Sequence, residues 1–208
     1  MTITTIESVP PDLVRGRGAG GPSSTRTVVA YGFWIFILSD ITMFSALFAT
    51  YAVLWDRTAG GPTASEVINL PHVFVETMCL LLSSYTAGLG ALSAERRQPD
   101  RFLVFAALTF VLGAAFLIIE IADFADMLRV GAGPTRSAFL SAFWALVGMH
   151  GAHVTSGLLW LIYMVAQVVA KGLLPHVLRR LLCFSLFWHA LDIIWVGVLT
   201  VVYLMGVR

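Results

Sequence analysis

The chain has 208 residues, 58% of them hydrophobic and only 12% charged, with a formal net charge of +1 and a mean hydropathy of +0.86. A soluble domain is about one quarter charged, so most of this surface must face lipid, and no sizeable soluble domain fits. The near balance of 13 basic and 12 acidic residues gives no footing for a nucleic-acid partner.

Residues 1–27 carry Gly16, Gly18, Gly20 and Gly21 with Pro10, Pro11 and Pro22, and lack a continuous apolar stretch. They read as a flexible tail, not a cleavable leader. Five long apolar segments follow, at about 28–55, 71–94, 101–128, 137–170 and 178–206, each sufficient for a tilted membrane crossing. Lipid offers no partner for backbone N–H and C=O groups, so the crossings must be helices. Breakers part them: Thr58 to Pro62, Pro99, Gly131 to Pro134, then Gly172 and Pro175. The expected fold is all-α, a polytopic bundle of five transmembrane helices over residues 28–208. Cys79 and Cys183 lie far apart inside apolar runs and read as small buried hydrophobes, without zinc or disulfide spacing.

Lys and Arg set the orientation, because basic loops resist translocation. Arg15, Arg17 and Arg26 in the tail, Arg96, Arg97 and Arg101 in the second connection, and Lys171, Arg179 and Arg180 in the fourth fall on one side; Arg57, Arg129, Arg136 and Arg208 fall on the other. A cytoplasmic N-terminus and an external C-terminus are expected. Trp34, Trp55, Tyr51 and Tyr203 toward span ends fit interfacial anchoring.

Asp40, Glu76, Glu120, Asp123, Asp192, His150, His153 and His189 all fall within the spans, whereas no Lys or Arg lies deep in one. A mid-membrane charge costs about 2.5–3.5 kcal/mol, so five uncompensated carboxylates would oppose insertion by roughly 10 kcal/mol or more. Each must be protonated, hydrogen-bonded, or matched by a group on another subunit. Glu120 and Asp123, His150 and His153, and His189 and Asp192 are each three positions apart, placing each pair on one inward helix face. Glu76, near the start of span two, and Glu120, near the end of span three, sit at similar depth and can meet or share a proton. Asp40, His153, His189 and Asp192 lie nearer mid-membrane, where carboxylate–imidazole pairs between helices can form.

Polar groups of this kind most often fasten helices, at around 0.6 kcal/mol per hydrogen bond; a proton-transfer role is the sharper reading for Asp40 and Glu120. Gly148, Ala152 and Ser156, and Ser83, Ala87 and Ala91, form small-residue ridges suited to close helix approach. His150 and His153 share a helix face and cannot supply opposite axial ligands to one haem. HxxH alone is weak ground for a metal, and the sequence carries no Rossmann glycine pattern, P-loop or GxSxG motif. An independent small transporter or proton channel would line a path with such acids, but the inverted repeats common in transporters are not evident.

The strings YGFWIFILSDITMFSALFATYAVL (31–54), FLSAFWALVGMHGAHVTSGLLW (139–160) and LFWHALDIIWVGVLTVVYLMG (186–206) resemble subunit III of the haem-copper respiratory oxidases. Five spans in place of seven, the TAGGPT loop at 58–63 and the GPTRSAFLSAF start of span four look most like the bacterial bo-type ubiquinol oxidase branch. The resemblance implies a non-catalytic subunit in the bacterial inner membrane, packed on a catalytic haem-copper subunit I and other oxidase subunits. The complex would oxidise ubiquinol, reduce oxygen to water and pump protons. Haems and copper would sit in the catalytic subunit, with no cofactor or metal in this chain; the same subunit in a cytochrome c oxidase is the near alternative. Asp40 falls at the family's buried carboxylate step; family accounts link subunit III to proton uptake, so the resemblance makes Asp40 the candidate site for such a role, with helix fastening the more usual one. HGAHV and WHALD match signature positions that mainly join helices and hold phospholipid headgroups. Seven-span relatives cradle lipid between their first two helices and the remaining five, so here another subunit would have to supply the missing wall.

Overall fold

The computed structural model describes residues 25–63 and 69–204. Most of the tail read from the sequence, with Arg15 and Arg17, lies outside the described residues, as does Arg208. Five long helices cover nearly all of the rest: α1 (Thr25–Leu54), α2 (Leu70–Glu95), α3 (Pro99–Arg129), α4 (Ala138–Lys171) and α5 (Pro175–Val198). Each, counting the π-helical continuation of α5 over Leu199–Leu204, is long and apolar enough to cross a membrane.

The ends follow local chemistry. Proline opens α2, α3 and α5, where its missing N–H and fixed φ cost nothing. Ser137 caps α4 by accepting a hydrogen bond from the Leu140 amide at 3.2 Å. Asp100 in the first turn of α3, and Arg129 and Lys171 in the last turns of α3 and α4, complement the helix dipoles.

Contacts between connections fix the up-and-down order. At one end Arg26 pairs with Glu95, and the Arg97 guanidinium donates to the Leu173 carbonyl, joining the start of α1 and the α2–α3 and α4–α5 connections. At the other end the Phe139 amide donates to the Arg57 carbonyl at 3.3 Å. Arg26, Arg96, Arg97, Arg101 and Lys171 thus share one end.

Inside, α2 packs on α3 and α5, α3 also on α4, and α4 on α5. Trp188 of α5 is the keystone. Its buried indole lies between α3 and α4, so close that a Cβ on Gly113 would stand 3.1 Å from its ring and one on Gly157 2.8 Å from it. Its Nε1–H donates to Ser83 Oγ of α2 at 3.1 Å, so one side chain joins four helices. Trp195 repeats the device one level away, donating to Thr77 Oγ1 at 3.0 Å and meeting Phe116 edge-on at 4.7 Å.

The remaining helix, α1, is attached differently. Phe33, Ile37, Asp40, Phe44, Leu47, Tyr51 and Leu54 are its inward positions, in the alternating four-three spacing of a coiled-coil seam, and it docks on α4 and α5. Its other faces are exposed and apolar, with Tyr31, Trp34, Ile35 and Leu38 outermost. Of the two small-residue ridges, Ser83 and Ala87 are buried within the bundle, but Ala152 and Ser156 point away from it. The close approaches of α4 use Gly151 and Gly157 instead, each one position from the ridge and so about 100° around the helix. Tyr51 and Tyr203 are packed inside, while Trp34 and Trp55 are exposed in the manner of interfacial anchors.

Candidate functional site

Antiparallel packing of α2 against α3 brings residues equally distant from their shared connection to the same depth. Thr86 and Thr109 exchange a hydroxyl hydrogen bond at 2.8 Å in the middle of this hairpin. Toward its open end Glu76 and Glu120, both buried, line one cavity of about 20 Å³ together with Asp123, Phe143 and Tyr203. That volume suits one water-sized group. The two glutamates are close enough to interact electrostatically. Among the described residues nothing hydrogen-bonds to Glu76 Oε1 or Glu120 Oε1. Asn69, Asp123 and Tyr203 supply the cavity's other polar groups, and no Lys or Arg lines it.

The Glu120 carboxylate rests on the α4 backbone: a Cβ at Gly151 would fall 2.6 Å from Oε2. Asp123, one turn farther along α3, turns to the rim and meets His72 of α2, with Nδ1 2.7 Å from Oδ1. His72 was not singled out in the sequence. The hairpin register was the signal that could have found it, since His72 and Asp123 stand one turn outward from Glu76 and Glu120.

A second polar group lies in the seam of α1. Asp40 Oδ1 is 4.0 Å from His153 Nε2 of α4, with both side chains mostly buried. His153 Nδ1 donates to the Met149 carbonyl at 2.8 Å, and a carbonyl only accepts, so the Nδ1 proton is fixed. Nε2 therefore faces Asp40 across a gap longer than a direct hydrogen bond. Asp40 occupies a position where the seam otherwise carries apolar knobs, a placement that fixes helix register in coiled coils.

His150, one turn before His153, is fully buried against Trp195, Phe116 and Phe44, with ring centroids at 5.0, 5.8 and 6.4 Å. Neither ring nitrogen has a hydrogen-bond partner among the described residues. On α5, His189 Nδ1 donates to the Ser185 carbonyl at 2.7 Å and the ring packs over Gly88 of α2. Asp192 lies beside Ser84 of α2 and near His189. The structure thus gathers Glu76, Glu120 and Asp123 at one end and Asp40 with His153 in the α1 seam, where Phe44 meets the rings of both His153 and His150. No three His, Cys, Asp or Glu side chains converge in metal-ligand fashion among the described residues. Chemically the arrangement can hold protons, bind single waters and fasten helices.

The family model described as cytochrome c oxidase subunit III matches residues 17–207. The cytochrome bo(3) ubiquinol oxidase subunit 3 of Pseudomonas aeruginosa is 50% identical over 176 residues, covering 85% of this chain and 84% of the relative. Its namesake in Pseudomonas putida is 47% identical over 176 residues, covering 85% of each. The cytochrome c oxidase subunit 3 of Bacillus sp. strain PS3 is 41% identical over 175 residues, covering 84% of each. Matched along nearly its whole length, with every intramembrane acid and histidine inside the match, the chain belongs to the cytochrome c oxidase subunit III family.

Proposed function

We propose that the chain is the third subunit of a bo-type ubiquinol oxidase, a proton-pumping assembly of the bacterial inner membrane that reduces oxygen to water. In this reading it packs on the catalytic haem-copper subunit I and other oxidase subunits, holds no haem or copper of its own, and stabilises the assembly. The single observation that carries it is the 50% identity, over most of both chains, to a relative named for that subunit. The site geometry supports a structural part: His150 fills an aromatic core position against Trp195, Phe116 and Phe44.

Within this reading Glu76, Glu120, Asp123, Asp192, His150, His153 and His189 fasten helices, and Asp40 is the candidate for a part in proton uptake. The N-terminus is cytoplasmic and the C-terminus periplasmic, which the gathering of Arg26, Arg96, Arg97, Arg101 and Lys171 at one end supports. Reporter fusions at Gly60 and at the C-terminus that stayed cytoplasmic would overturn that orientation. The relative in Bacillus sp. strain PS3, named a cytochrome c oxidase subunit, favours a second reading in which the donor is cytochrome c.

The test is purification in mild detergent through a tag on this chain. Co-elution with larger subunits, a haem spectrum and quinol-supported oxygen consumption are expected. Oxygen consumption supported by reduced cytochrome c and not by quinol would establish the second reading. A colourless lone protein with transport activity would overturn both in favour of a small channel or transporter.

A further inference from the structure

At the end of the bundle opposite the Glu76–Glu120 cavity, a groove of about 440 Å³ opens between the last turns of α2 and the first turns of α3. Its walls are apolar and face outward: Leu92 is 44% and Val104 59% exposed, with Leu89 and Phe105 behind them. Its mouth is charged, lined by Arg96, Arg101 and Asp100. Neighbouring cations are already engaged, Arg26 with Glu95 and Arg97 with the Leu173 carbonyl. Among the described residues Arg96 and Arg101 have no carboxylate partner within ion-pair distance, and Asp100 no cationic one. Leu89 to Arg96 spans seven positions, about 10 Å along the helix. The groove therefore grades from apolar to charged over the distance that separates acyl chains from headgroups.

We infer that this groove is a binding site for one phospholipid with a zwitterionic amine headgroup, phosphatidylethanolamine in kind. The phosphodiester lies between Arg96 and Arg101, the ammonium meets Asp100, and the first acyl methylenes run between Leu92 and Val104. Charge complementarity selects the occupant. Two guanidiniums suit a phosphate, and basic pockets between spans are where lipid headgroups bind. A carboxylate at the same mouth disfavours a purely anionic headgroup and gives an ammonium its partner. The site needs only a chain set in a bilayer, so it stands whatever the larger assembly proves to do.

The test uses the native assembly purified through this chain, stripped of loosely held lipid and examined by native mass spectrometry during titration with dioleoylphosphatidylethanolamine or dioleoylphosphatidylglycerol. Wild type should retain one more phosphatidylethanolamine per chain than an Arg96→Gln/Arg101→Gln variant, and bind that lipid at least about tenfold more tightly. Arg129→Gln, at the far end of α3, should bind as wild type does. Asp100→Asn should keep the site but shift its preference toward phosphatidylglycerol. Equal retention by wild type and the double arginine variant would overturn the site. An unchanged preference in Asp100→Asn, or a wild-type preference for phosphatidylglycerol, would overturn the assigned headgroup.

Discussion

Replacing Gly157 by alanine tests the Trp188 clamp most directly. The added carbon would lie 2.8 Å from Cζ3 and 3.0 Å from Cε3 of the indole and 3.3 Å from Cε1 of Phe187. Favourable carbon contacts lie at about 3.5–4.0 Å, so the ring would have to retreat by roughly 0.7 Å or more. It has no room to do so. Its other side abuts Gly113 of α3, and its Nε1–H is tied to Ser83. Overpacking of this kind costs about 1–3 kcal/mol, and a ring held from both sides places Gly157→Ala in the upper half of that range. The clash is steric, so unlike a burial term it is not weakened when lipid replaces water outside the protein. Thermal unfolding of the detergent-solubilised chain should show the loss for Gly157→Ala. In a Trp188→Leu background, where the ring is gone, the same substitution should cost less than about 0.5 kcal/mol, leaving a coupling of at least about 1 kcal/mol in the double-mutant cycle. Additive costs would refute the clamp.

Ser83→Ala strips the buried Trp188 N–H of its acceptor and should destabilise the chain by about 1–3 kcal/mol in the same unfolding assay, whereas Ser39→Ala, whose hydroxyl only returns to its own helix at Phe36, should change little. His72→Gln removes a partly exposed partner of Asp123, and its effect on the unfolding midpoint should correspond to under about 1 kcal/mol, the usual worth of such pairs. Asp40→Asn should leave the assembly intact on gel filtration and lower turnover by less than about tenfold, equivalent to 1.4 kcal/mol; complete loss of oxygen reduction in an assembled variant would give Asp40 an essential part.

Much of this architecture was legible in the residues because lipid punishes error. A long apolar run bounded by Pro or Gly has few alternatives to a spanning helix, and the observed ends fall within three residues of the expected ones where both are described. The matched depth of Glu76 and Glu120 was also readable, since the break at Pro99 fixes how the second and third helices fold back. Rotation about each helix axis was not. Gly148, Ala152 and Ser156 look like a docking ridge, but spacing alone does not say whether such a ridge faces the bundle or its surroundings, and Ala152 and Ser156 face outward. The partners of Trp188 and Trp195 lie more than a hundred residues away on α2, and nothing local in WHALD announces them. The π-helical stretch at Leu199–Leu204 was equally silent, because a segment apolar on all sides has no periodicity to betray a wider turn.

The seam of α1 also carries a timetable. During synthesis this helix precedes the surfaces it docks on, α4 and α5, which begin at Ala138 and Pro175. Its contact with His153 can form only once α4 has been made. Of the five described helices, the one that leads in sequence is thus the one whose berth is completed by the last.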